Sequence, residues 1–251
     1  MTQSDFYPVK ITILLFSILY SLLVSYPANT FFAVIWIIHC IICINVRRIK
    51  TDQIIMYFLR MTLYFADLIL WAILMCNNLF DSIRFDSKTF VSLLVCVFAY
   101  AVYYLANKEK YNLIFLNSNL SYKKKHISSS ILLIYTTIGS VIGEELFFRY
   151  IIISELLNYR LISILISSIF FVFHHYNVPW SKKFKATDYG NQFLFGVILA
   201  CVFVYSKSLI PSLVLHLLFN SPTILVEIKE IFRKVKGASQ TCDSGLDDLP
   251  L

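Results

Sequence analysis

Thr89–Ala106 (TFVSLLVCVFAYAVYYLA) runs for 18 residues without a charged side chain. As a helix rising about 1.5 Å per residue it is roughly 27 Å long, close to the hydrocarbon thickness of a bilayer. Applied outward along the chain, the same criterion marks 9–26, 29–46, 53–76, 141–158, 161–178, 191–207 and 210–227. With 89–106 this predicts an all-α, polytopic membrane helix bundle of eight transmembrane helices. A further apolar stretch, 127–140, precedes the fifth span without a clear break. Within 9–26, Lys10 precedes an apolar run as the basic residue of a signal peptide would. Tyr26-Pro27-Ala28-Asn29 is a poor small-residue cleavage site, however, so an uncleaved span is expected.

Composition agrees. The chain of 251 residues is 58% hydrophobic and 15% charged, against about 45–50% and about 25% for soluble domains. A soluble enzyme, a disordered chain and a nucleic-acid-binding module are excluded, despite a net charge of +7. Cys40, Cys43, Cys76, Cys96, Cys201 and Cys242 lack the spacing of a secreted disulfide framework. Those inside apolar runs read as small buried hydrophobes. The Cys40-x-x-Cys43 pair, set among Ile, Phe and Trp, reads as structural.

The cations set the orientation. With the N-terminus in the cytoplasm, the inner segments hold Lys10, then Arg47, Arg48 and Lys50, then Lys108, Lys110 and Lys123–Lys125. They also hold Lys182, Lys183 and Lys185, and in the tail Lys229, Arg233, Lys234 and Lys236. The outer segments hold only Arg84, Lys88, Arg160 and Lys207. Both termini are therefore expected in the cytoplasm by the positive-inside rule. Residues after 228 turn from basic to acidic and read as a short solvated helix and a loose end.

Ionisable side chains at membrane depth are costly and by default mark function. Arg60 and Asp67, seven apart in the third span, lie on one helix face two turns apart and read as a neutralising packing pair. His39 in the second span reads as a hydrogen-bonded packing residue. A denser set lies in the C-terminal half. Gly143-Glu144-Glu145-Leu146-Phe147-Phe148-Arg149 places two carboxylates and a guanidinium in apolar sequence, with Glu145 and Arg149 at ion-pair spacing. Glu144 is then left for chemistry. Phe170-Phe171-Val172-Phe173-His174-His175 brings two imidazoles near the end of the sixth span, and His216 and Asn220 project together from the eighth.

These three sets, in this order, resemble the CPBP family of intramembrane proteases, which includes the type II CAAX prenyl endopeptidases and bacteriocin-processing and self-immunity proteins. The pattern E-E-x-x-x-R, F-x-x-x-H, H-x-x-x-N/D is met by Glu144-Glu145…Arg149, by Phe170…His174 or Phe171…His175, and by His216…Asn220. The resemblance covers roughly 128–226, which it marks as a catalytic core. Residues 1–127 form N-terminal transmembrane helices without a recognised motif, and 227–251 a cytoplasmic tail.

The resemblance implies an intramembrane endopeptidase in which Glu144 and one histidine activate water. His174 is favoured and His175 is the alternative. His216 and Asn220 would stabilise the oxyanion, and the Glu145–Arg149 pair would brace the site. The residue chemistry is coherent by itself. A glutamate in an apolar pocket suits general-base work, and His216 and Asn220 are suitable N–H donors. No cofactor is expected. Zinc is conceivable on such residues but disfavoured, because the H-E-x-x-H spacing is absent and Asn220 is a poor zinc ligand. Acyl transfer on the same scaffold and a non-catalytic self-immunity or regulatory role are the alternatives. The implied partners are a peptide or protein substrate at the membrane and the bilayer itself, with no nucleic acid. The implied location is the plasma membrane of a bacterium. Depth adds one expectation. His174 lies about 6 Å inside the cytoplasmic end of its span. Glu144 should reach it only if its span starts near 140, leaving 127–140 at the surface or re-entrant.

Overall fold

The computed structural model describes residues 27–46, 54–75, 82–109, 111–112, 126–156, 160–177 and 186–243, and among these it is all-helical. The helices are α1 (Pro27–Val46), α2 (Ile54–Met75) and α3 (Ser87–Ala106), followed by a composite α4. This α4 runs from Ile127 to Glu144, loosens to a π-helical segment over Glu145–Ile151, and ends with a last α-turn, Ile152–Glu155. Then come α5 (Arg160–Asn177), α6 (Ala186–Ser206) and α7 (Leu209–Asp243). In lipid every backbone N–H and C=O must be satisfied within the segment, which is why such apolar sequence folds as helices.

Five of them (α2, α3, α4, α6 and α7) contain stretches long and apolar enough to cross a membrane. In α1 and α5 the apolar stretches are shorter, Val34–Cys43 and Leu161–His175. The expected span at 9–26 lies outside the described residues. The outward face of α3 is apolar and exposed, with Phe90, Leu94, Phe98 and Leu105 at half or more of their full accessibility. A face of that kind suits hydrocarbon rather than water. At the head of α3, Asp86 caps the helix by accepting the Thr89 N–H at 2.8 Å, which holds its carboxyl below the usual range.

Two boundaries differ from expectation. The predicted span 141–158 is the second half of a helix that starts at Ile127, so 127–140 is neither a separate surface helix nor a re-entrant one. The reason is local: Leu132, Thr136, Gly139 and Val141 are buried at helical spacing, packing α4 against its neighbours over its whole length. Likewise α7 continues through the expected break at 228, with Pro222 accommodated inside it. Glu227 and Glu230 are buried there, so this stretch is not merely solvated tail. Cys40, Cys43 and Cys96 are buried as expected. Cys201 is exposed, because Leu199, Ala200 and Phe203 take the inward face of α6.

α4 packs against α2 and α7, and α5 against α6. Trp36, Phe147, Phe148, Phe170 and Phe171, all fully buried, form the centre of the core. The approach of α2 to α4 depends on Gly139 and Gly143, a small-x-x-x-small seam. A Cβ at Gly143 would lie 3.0 Å from the Phe65 carbonyl oxygen, a backbone atom that cannot rotate away. Gly143→Ala is therefore expected to part α2 from α4 and cost about 1–3 kcal/mol. Thermal unfolding in detergent tests this, and an unchanged midpoint would refute the seam.

Candidate active site

Glu144 closes the regular part of α4, and three imidazoles surround its carboxylate. His174 Nε2 lies 3.4 Å from Oε1, while His175 Nε2 and His216 Nε2 each lie 3.8 Å from Oε2. Three sequence-predicted histidines thus meet at one carboxylate, brought together from α5 and α7 onto α4. The apolar pocket expected around Glu144 is not what it occupies. Glu144 is buried, but its immediate neighbours are basic rings.

The next residue, Glu145, begins the π-helical segment and is completely buried. Its Oε1 accepts from His216 Nδ1 at 2.8 Å, and its Oε2 lies 3.5 Å from Arg149 Nε. The expected Glu145–Arg149 pair is present, and its second partner is the site histidine itself. Arg149 is equally buried and stacks its guanidinium on the Phe171 ring, 4.6 Å from the centroid. π-Helical segments concentrate at functional sites. Here the segment starts where two successive carboxylates turn to the two ring nitrogens of one histidine.

Hydrogen bonding fixes the ring orientations. The Phe171 carbonyl can only accept, so His175 donates from Nδ1 to it at 2.9 Å and turns Nε2 toward Glu144. Asn220 donates one amide N–H to the His216 carbonyl at 3.2 Å, which leaves the second N–H of that amide for a ligand.

A cavity of about 380 Å³ adjoins this cluster. Glu144, His175, His216 and Asn220 lie on its wall, and it extends along α4 past Ser140 to Leu133. Glu144 Oε2 is buried and accepts no hydrogen bond among the described residues, as expected of an atom reserved for a ligand. His174 does not line the cavity. It sits behind Glu144, where its Nδ1 meets His39 Nε2 at 2.9 Å, and His39 Nδ1 meets Asp67 Oδ2 at 2.6 Å. The partner of Asp67 therefore comes from α1, while Arg60 lies over the Tyr57 ring. The sequence alone marks both His39 and Asp67 as packing residues. Their ionisable character in apolar spans was the available signal, but nothing in their spacing ties them to His174.

Residues 126–222 match the family model of type II CAAX prenyl endopeptidase Rce1-like proteins, and all three motifs fall inside that segment. The match supports a CPBP-family intramembrane protease, and with it a protease role on a peptide or protein substrate at the membrane. Together with the five apolar helices it makes this an integral membrane protein. No curated protein and no solved structure matches the chain.

Proposed function

We propose that the chain is a glutamate-type intramembrane endopeptidase that hydrolyses a peptide bond in the cavity beside Glu144. The observation that carries this reading is Glu144 Oε2, which accepts no hydrogen bond among the described residues and lies on the cavity wall 3.8 Å from both His175 Nε2 and His216 Nε2. Gaps of that width are ones a water can bridge. Glu144, assisted by His175, takes a proton from water as its oxygen bonds to the substrate carbonyl carbon. His216 Nε2–H and the second Asn220 amide N–H donate to the resulting oxyanion. As the C–N bond breaks, Glu144 returns the proton to the leaving amine. His216 already gives its Nδ1–H to Glu145, since a carboxylate only accepts, so donation from Nε2 requires both ring protons. Glu144, Glu145, Arg149 and a doubly protonated His216 then form a neutral quartet, a condition for burying charges at this depth. His174, favoured from the sequence as the activating histidine, instead holds Glu144 from behind.

On this reading 128–226 is the catalytic core, with α1 and α2 completing it, and no metal takes part. Peptides in membranes and medium should differ between bacterial cells carrying the wild type and cells carrying Glu144→Gln. The purified protein should cleave the peptide so identified after exhaustive chelation. Loss of activity that returns with stoichiometric metal would sink the metal-free mechanism. Equal peptide patterns would sink the protease.

On this reading the bundle has eight spans, with both termini in the cytoplasm. The cavity runs toward the end of α4 that follows Lys123–Lys125 and the part of α7 that precedes Lys229, so it opens to the cytoplasm. Reporter fusions after Lys50, Lys125, Lys185 and Lys236 should all report cytoplasm. An outside signal at Lys125 or Lys185 would reverse the orientation.

A further inference from the structure

Four ionisable side chains form one continuous line through the bundle: Asp67 on α2, His39 on α1, His174 on α5 and Glu144 on α4. The contacts are 2.6 Å from Asp67 Oδ2 to His39 Nδ1, 2.9 Å from His39 Nε2 to His174 Nδ1, and 3.4 Å from His174 Nε2 to Glu144 Oε1. All four residues are at least nine-tenths buried. Asp67 and His39 lie outside the segment that matches the protease family. We propose that Asp67 and His39 are positioning residues that fix the tautomer of His174 and thereby keep Glu144 ionised as the base.

The protons follow from donor and acceptor rules. Both end groups are carboxylates, which accept and do not donate when ionised. If His39 carries two protons, it gives Nδ1–H to Asp67 and Nε2–H to the bare Nδ1 of His174. His174 then has its single proton on Nε2, aimed at Glu144, and every contact in the line joins a donor to an acceptor. The 2.6 Å contact is short for an N–H···O bond, and because a carboxylate only accepts, His39 gives Nδ1–H to Asp67 in this state. A neutral His39 reverses the line. With its proton toward Asp67 it must accept from His174 Nδ1–H. Either His174 then carries the second proton itself, or its bare Nε2 faces a protonated Glu144. All these states hold the same number of protons, so Asp67 decides among them by holding the second proton on His39.

The same atoms suggest one competing occupant. Cys43 Sγ and ring nitrogens of His39 and His174 lie within 4.8 Å of one another. A metal ion there would replace the proton between the two rings.

The inference rests on Glu144 being the base, so its test is read first without activity. The purified full chain, with its five histidines 15N-labelled, is assigned by single His→Gln substitutions. The expected wild-type spectrum has both His39 nitrogens protonated, His174 Nε2 protonated and His174 Nδ1 bare. Asp67→Asn should remove one proton from His39. A neutral His39, a protonated His174 Nδ1, or an Asp67→Asn spectrum unchanged at His39 would each overturn the proposal. So would stoichiometric metal in the wild type that is lost in Cys43→Ser. On the peptide identified by cell comparison, Asp67→Asn should lower kcat by about 10–100-fold with KM unchanged, the usual scale for groups that orient another residue. Full turnover by Glu144→Gln would instead refute the hydrolytic reading and leave the histidine spectrum to decide the relay.

Discussion

Glu144→Gln is expected to lower turnover by about 10²–10⁴-fold, the contribution of a positioned general base, while folded yield stays near wild type because His216 can release its second proton and keep the buried group neutral. Glutamine keeps the shape of the side chain and its hydrogen-bonding reach, but it cannot take a proton from water. Loss of the protein along with the activity would mean that the carboxylate is structural. His216→Ala and Asn220→Ala each remove one donor to the oxyanion and should retain a residue of activity, lowered by about 10²–10³. The two adjacent histidines should separate by kind of defect. His175→Ala removes a ring on the cavity wall. His174→Ala severs Glu144 from His39 and Asp67 without changing the wall. Substitution of His175 without effect would return the water-activating role to His174.

The helical class was legible in the sequence because a bilayer leaves few choices: apolar runs of about 20 residues must be helices. The site was legible for a related reason. Glu144, Glu145, Arg149, His174, His175, His216 and Asn220 stand out because charge and hydrogen-bonding groups at that depth must meet one another. The three histidines meet Glu144, while Glu145 and Asn220 join through His216 and Arg149 through Glu145. What the sequence hid depends on rotation and on distant contacts. Hydropathy cannot separate 127–140 from 141–158 into one helix or two, because Thr136, Thr137 and Ser140 lower the apolar signal where the cavity needs a polar wall. The choice between Phe170…His174 and Phe171…His175 turns on about 100° of helix rotation, which α5 acquires only by packing against α4 and α6. The π-helical segment leaves no trace in composition. The link from Asp67 through His39 to His174 joins positions 107 residues apart along the chain at its ends. No local pattern encodes it.

Arg149→Ala should give the largest loss of folded protein. Glu145 and Arg149 are both completely buried, and removing one strands the other's charge in the bundle, a cost of about 3–5 kcal/mol. Against a total stability of about 5–15 kcal/mol, that depletes the folded fraction seriously. Glu145→Ala should behave alike, with the guanidinium left on the Phe171 face without its ion-pair partner. The double replacement Glu145→Gln with Arg149→Met separates stability from chemistry. It removes both charges at similar volume, so monodisperse yield and melting temperature should recover most of what either alanine loses. Activity should not recover with them. His216 then has an amide rather than a carboxylate opposite Nδ1, and nothing holds the second proton that lets Nε2 donate to the oxyanion. A double variant as poorly folded as Arg149→Ala would show that packing, not stranded charge, sets the cost. One that regains both yield and turnover would show that Glu145 braces the fold alone and that His216 needs no counter-ion.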